Sequence, residues 1–263
     1  MNIFLHEIKA YRKTTIIWII SITAIFFMFM SIFPNFKEGA EEFEKLLAGY
    51  DANFLKAVGF PEDIFSVLSF YSYIFIYVSI CGAIQAMNLG LSVISKEIRN
   101  KTADFLITKP VSRFKIVTSK ILAPIILLGF TNLMLLGVSL LMIKYTGEQY
   151  EFETFLKVFS ILPFLQLIFF TLGFVIATIV TKIKNVVTLS LGITFSLYVL
   201  GMIESISGQE KMRYFIPFKY LNAQYIIING EYESKFLILG IVMSLVFLLS
   251  SYIIYIKKDI HSV

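Results

Sequence analysis

Six apolar blocks, each close to the length that crosses a bilayer, constrain this chain more than any other feature. About 20 consecutive apolar residues carry an α-helix through the hydrocarbon core. Blocks of this kind run from Thr15 to Phe33, Ser69 to Ile94, Ile121 to Ile143, Phe159 to Val180, Val186 to Ile203 and Phe236 to Ile256. Backbone in lipid must satisfy its own N–H and C=O groups, so each block predicts a helix. Composition agrees, since 57% of the 263 residues are hydrophobic and only 16% are charged, against roughly 25% in a soluble domain. The expectation is an all-α membrane protein forming one transmembrane unit over residues 1–263. Basic residues precede the first block as in a signal peptide, but the block is longer than a signal core and no small-residue cleavage site follows Phe33, so it is expected to be retained.

Orientation follows from Lys and Arg, which resist translocation and stay cytoplasmic. With the amino terminus inside, the inner segments hold 14 of the 23 basic residues and only 4 of the 18 acidic ones. Both termini are therefore expected in the cytoplasm, at the cell membrane. The net charge of +5 is read as topology plus contact with anionic lipid rather than as nucleic-acid binding.

Seven of the inner basic residues lie in "KEIRNKTADFLITKPVSRFKIVTSK", residues 96 to 120, the sizeable inner loop between spans two and three. Positive-inside anchoring explains Lys96, Arg99 and Lys120 but not the apolar pair in mid-loop. Asn100 can cap a short helix over 100–109 that puts Thr102, Phe105 and Leu106 on one face, and Pro110 disfavours helical geometry at Lys109, which ends it. An apolar knob ringed by Lys101, Asp104 and Lys109 suits a partner's groove.

At these residues the chain resembles the membrane subunits of type-2 ATP-binding-cassette exporters. Their loop between spans two and three often reads as Glu, Gly-Thr, a Leu pair, Pro-Val-Ser-Arg and a later Lys. This sequence has Glu97, Thr102, Phe105-Leu106, "PVSR" from Pro110 to Arg113, and Lys120, with Lys101 where Gly is usual and Phe105 in place of the first Leu. "MNIFLHEIKAYRKTT", residues 1–14 and the start of span one, is similar to the family's interfacial elbow helix, and "FIPFKYLNAQYI", Phe215 to Ile226, to its Pro-Phe-x-Tyr element. The resemblance implies that 100–109 is a coupling helix, with Glu97, Lys101, Thr102, Phe105, Leu106 and Arg113 facing a separate ATPase. No G-x-x-x-x-G-K-[ST] phosphate loop occurs in the chain, so no cofactor is expected on it, and ATP and Mg belong to the partner. Two ATPase copies and a second permease, identical or paralogous, complete the implied assembly.

Polar residues inside spans are disfavoured by lipid and tend to face partner helices or an aqueous path. At 100° per residue Cys81, Gln85, Asn88 and Ser92 lie within about 60° of one another, with Gly82, Ala86 and Gly90 on the far side as a small-x-x-x-small series. Span five places Ser190, Thr194, Gly201 and Glu204 on a shared face. Gln85, Asn88, Ser92, Ser190 and Thr194 are candidates for a translocation route or dimer seam, the alternative being that the amides only bind helices together. Thr131, Asn132 and Gln166 are read as interhelical hydrogen bonders, and Pro124 and Pro163 as kinks.

No catalytic or metal-ligating set stands out. His6 and His261 lie at opposite ends of the sequence, Cys81 is single, and "KEGAEEFEKLLAGY" reads as an amphipathic surface helix with Phe43, Leu46 and Leu47 on its apolar side. The expected role is transport of amphipathic or hydrophobic cargo, with antimicrobial or toxin-like peptides among the candidates. Lipid, drug or sodium export, or an accessory or immunity protein that works without an ATPase, stay open.

Overall fold

The structure, a computed structural model, describes residues 3–61, 63–99, 112–180 and 183–257. Among these residues the chain is helical and has no strand. Six helices are long and apolar enough to cross a membrane, one for each apolar block. In chain order the helices are α1 (Ile3–Glu38), α2 (Ala40–Leu47), α3 (Ala52–Ala57), α4 (Val67–Arg99), α5 (Arg113–Thr146), α6 (Phe152–Phe159), α7 (Ile161–Ile179), α8 (Val186–Ser207), α9 (Glu210–Arg213), α10 (Ala223–Asn229) and α11 (Ser234–Lys257). A 3-10 turn covers Pro217–Lys219. Helices α1, α4, α5, α7, α8 and α11 are spans one to six.

Local sequence explains most of the boundaries. Ser112 caps α5 by accepting from the Lys115 N–H at 3.4 Å, and Asn185 caps α8 by accepting from Val187 and Thr188 at 3.1 and 3.2 Å. Pro163 cannot donate to the carbonyl one turn behind it, and the helix breaks at Ser160, dividing α6 from α7. The amphipathic start expected as the elbow helix runs on into span one as one helix, since no Gly or Pro stands before Pro34. At 36 residues α1 is ~54 Å long, well beyond a hydrocarbon core of ~30 Å. The segment expected as the coupling helix, 100–109, lies outside the described residues.

Helices α4 and α7 form the centre. In their most apolar stretches, 67% of residues are buried for both α4 and the α6–α7 pair, against 17 to 33% for the other spans. Helices α1 and α5 pack together on one flank, α11 lies against α7, and α8 lies against α4. The outer spans keep Ile17, Leu133, Leu141, Phe195 and Leu249 exposed, an apolar surface suited to lipid.

Apolar surface gains little by leaving lipid for another helix, so close backbone packing has to hold the central pair together. The series Gly82, Ala86, Gly90 provides it. A Cβ on Gly90 would stand 2.3 Å from the Phe170 carbonyl oxygen, and one on Gly173 would stand 2.7 Å from that of Met87. Only glycine lets the two backbones approach so closely. At the end away from the termini, α2 forms the amphipathic helix expected from its sequence, and Phe43 packs edge-on against Phe36 with ring centroids 4.7 Å apart.

Candidate translocation and coupling site

The α1 start, the α4 end, the α5 start and the α11 end share one end of the bundle. There Glu7, on the opening turns of α1, meets Lys96 at 2.5 Å and Lys120 at 3.3 Å. Lys120 also donates to the Val93 carbonyl at 2.8 Å, and the Lys96 ammonium lies 4.7 Å from the Tyr11 ring centroid. Glu7 is 2% exposed and Lys120 is fully buried. Two lysines on one carboxylate join α1, α4 and α5 at the roots of the loop that carries the expected coupling residues. Ionised groups this dry persist only when paired and hydrogen-bonded. Lys120, first read as an anchor, is thus an internal brace. Glu7 was not foreseen, although it is the lone acid in a basic opening segment.

Arg113 opens α5 and donates from Nη1 to the Ile256 carbonyl at 2.8 Å, in the last turn of α11, where unsatisfied carbonyls and the helix dipole favour a cation. Lys101, Thr102, Phe105 and Leu106 lie outside the described residues, as does the side chain of Glu97.

The polar stripe of α4 divides. Gln85, fully buried, donates to Thr131 Oγ1 at 2.9 Å and accepts from Gln166 Nε2 at 3.5 Å, while Asn132 donates to Gln166 Oε1 at 2.8 Å. This network joins α4, α5 and α7, so Gln85 lies with the residues expected to bind helices together. Asn88 and Ser92 stay half-buried and are 3.5 Å apart. Ser190 and Thr194 are buried on α8. Ser190 donates to the Val187 carbonyl at 2.9 Å, and Thr194 Oγ1 has no hydrogen-bond partner among the described residues.

At the other end the Pro-Phe-x-Tyr element folds into the 3-10 turn, and Tyr220, fully buried, donates to the Tyr214 carbonyl at 2.5 Å. The turn presents Lys219, which donates to the Ser205 hydroxyl and stands 3.7 Å from Glu204. Burial pushes the Lys219 pKa below the usual lysine value, and Glu204 only partly opposes this. Arg213 donates to the Lys219 carbonyl at 2.8 Å, pairs with Glu233 at 2.5 Å and stacks 3.9 Å from the Phe236 ring centroid. Glu204, Ser205, Arg213 and Lys219 form one wall of a cavity of about 820 Å³ between α3, α4, α7 and α8. Of these only Glu204 had been singled out. The available signal was the Lys in the variable place of the Pro-Phe-x-Tyr element.

Six spans, a central glycine-packed pair and an ionic brace under an inner loop are the frame into which the comparisons fall. A search of the curated proteins finds no match. The family described as ABC-2 family transporter protein matches residues 1–260, nearly the whole chain, and the chain belongs to that family of ATP-binding-cassette transport components.

Proposed function

We propose that this chain is the permease of an exporter, forming half of a translocation pathway and drawing its energy from a separate ATPase through the loop between α4 and α5. The observation that carries this reading is the Glu7–Lys96–Lys120 brace. It fixes the roots of that loop to α1, so force applied to the loop passes into three spans instead of bending a loose connection. Two ATPase copies, carrying ATP and Mg, act on two permeases, with both termini in the cytoplasm and the far-end cavity on the opposite face. The cargo is amphipathic or hydrophobic. Asn88 and Ser92, half-buried on α4, and Ser190 and Thr194 on α8 line the route or the seam between permeases.

The test is Phe105→Ala with Leu106→Ala. Each apolar side chain buried in an ATPase cleft contributes about 1.5 to 3 kcal/mol. Copurification with a coexpressed cassette ATPase, and transport per ATP in vesicles, should both fall sharply. Unchanged values would return the loop to a set of membrane anchors and favour an accessory protein that works without an ATPase.

A further inference from the structure

The far-end cavity has two chemically distinct parts. Its polar lining carries Glu204, Ser205 and Lys219, while its apolar lining includes Phe75, Leu165 and Met202. On α4 the lining runs from Ser72 to Ser79, seven residues, so the cavity reaches ~10 Å along that helix. A volume of about 820 Å³ fits one drug-sized or lipid-sized molecule and excludes a folded polypeptide.

The polar wall is not evenly satisfied. Arg213 is held by Glu233 and by the Lys219 carbonyl, and its role is to shape the wall. Lys219 differs. Its ammonium has three donors, and among the described residues it donates to the neutral Ser205 hydroxyl and stands in a loose ion pair 3.7 Å from Glu204, which leaves it donor capacity for a ligand. A partly buried cation with donors to spare, beside the apolar lining of a pocket, matches an anionic head on an apolar tail.

We propose that this cavity binds a single amphipathic molecule, its carboxylate or phosphate head on Lys219 and its apolar body running inward between α4, α7 and α8. This refines the cargo class given above and rests on that reading only for the word cargo. Binding itself requires neither ATPase nor nucleotide.

The experiment uses the purified full chain in nanodiscs, without an ATPase. The probes are a photoactivatable fatty acid and an alkylammonium of the same chain length. The fatty acid should bind saturably and crosslink within Leu55 to Ser79 or Tyr198 to Ser205. Lys219→Gln should weaken it about tenfold, the worth of one charge-assisted hydrogen bond, and Lys219→Arg should retain it. Met202→Trp, which fills the apolar part, should abolish saturation. Equal binding of the ammonium probe, crosslinks elsewhere, or unchanged affinity in Lys219→Gln would overturn the proposal. If Lys219→Gln does not fold, the comparison of head groups on the unaltered chain decides. Competition by phosphatidylglycerol, absent with phosphatidylcholine alone, would identify a membrane lipid as the occupant, and its absence a free single-chain amphiphile. Loss of ATPase pairing in the coupling test leaves this readout unaffected, so the two ideas fail separately.

Discussion

Each end of the bundle carries a group of ionised side chains, and the two are built in opposite ways. Glu7 and Lys120 are buried and Lys96 nearly so, with direct contacts and a backbone carbonyl taking up what the carboxylate leaves. Glu204 and Lys219 border a cavity and stand in a loose ion pair, 3.7 Å apart. A closed ionic cluster can hold helices in register but cannot accept a ligand. An open one adds little to the fold and leaves donors for something else. The same residue types therefore serve as a brace at one end and as a receptor surface at the other, and the difference lies in how much protein surrounds them.

The largest effect should come from breaking the brace. Glu7→Gln leaves Lys120 buried without a counter-charge, and removing one partner of a buried pair costs about 3 to 5 kcal/mol. Thermal unfolding in detergent, followed by size-exclusion profile, should show a clear loss of stability. Replacing all three residues by Met should restore it, since apolar substitution of a buried ionic cluster is often neutral or stabilising. A triple variant that is stable yet inactive would separate bracing from force transfer. Next in size is Gln85→Leu, which strands hydrogen-bonding groups on Thr131 and Gln166 and should cost about 1 to 3 kcal/mol. Asn88→Leu, outside that network, should leave stability nearly unchanged and alter transport.

Removing the far-end cation should be milder still. Lys219→Met should shift stability by no more than about 1 kcal/mol, because the side chain is partly open to solvent and its ion pair is loose. The pH dependence gives a sharper reading. Burial holds the folded Lys219 pKa below 10.5, so the unfolded chain keeps its proton to higher pH, and between the lowered value and 10.5 stability rises with pH. That rise should be absent in Lys219→Met. A loss of several kcal/mol in this variant would make the far-end cluster a second brace and erase the contrast. Smallest of all, Lys37→Ala removes an ion pair to Glu148 whose side chains are 44% and 36% exposed, and no change beyond about 0.5 kcal/mol is expected.

What the sequence revealed and what it hid follow from the range of the interactions concerned. Span positions are local properties of about 20 residues, and each apolar block became a helix. The small face of Gly82, Ala86 and Gly90 was equally legible, because a helix surface follows from spacing alone. The brace was not, since Glu7 is separated from its partners by 89 and 113 residues and nothing in its neighbourhood names them. Gln85 shows the same limit at shorter range. Its face on α4 was readable, but the rotation that turns it toward Thr131 and Gln166 while leaving Asn88 half-buried is set by packing against α5 and α7. The cavity required α8 and the 3-10 turn to fold back over α4, a tertiary event that the Pro-Phe-x-Tyr element marks without describing.

The contact between Gly90 and Gly173 has a mechanical consequence. Two helices whose backbones touch cannot slide past one another by a small amount, because the next set of side chains along each ridge collides before a full turn of about 5.4 Å is gained. Helices α4 and α7 therefore behave as a single strut. Under the proposed coupling, a push at the loop after α4 moves α4 and α7 together, and relative movement is left to the joints around this strut, where α8 and α11 meet it through buried small and polar residues such as Ser190, Thr194 and Gly240.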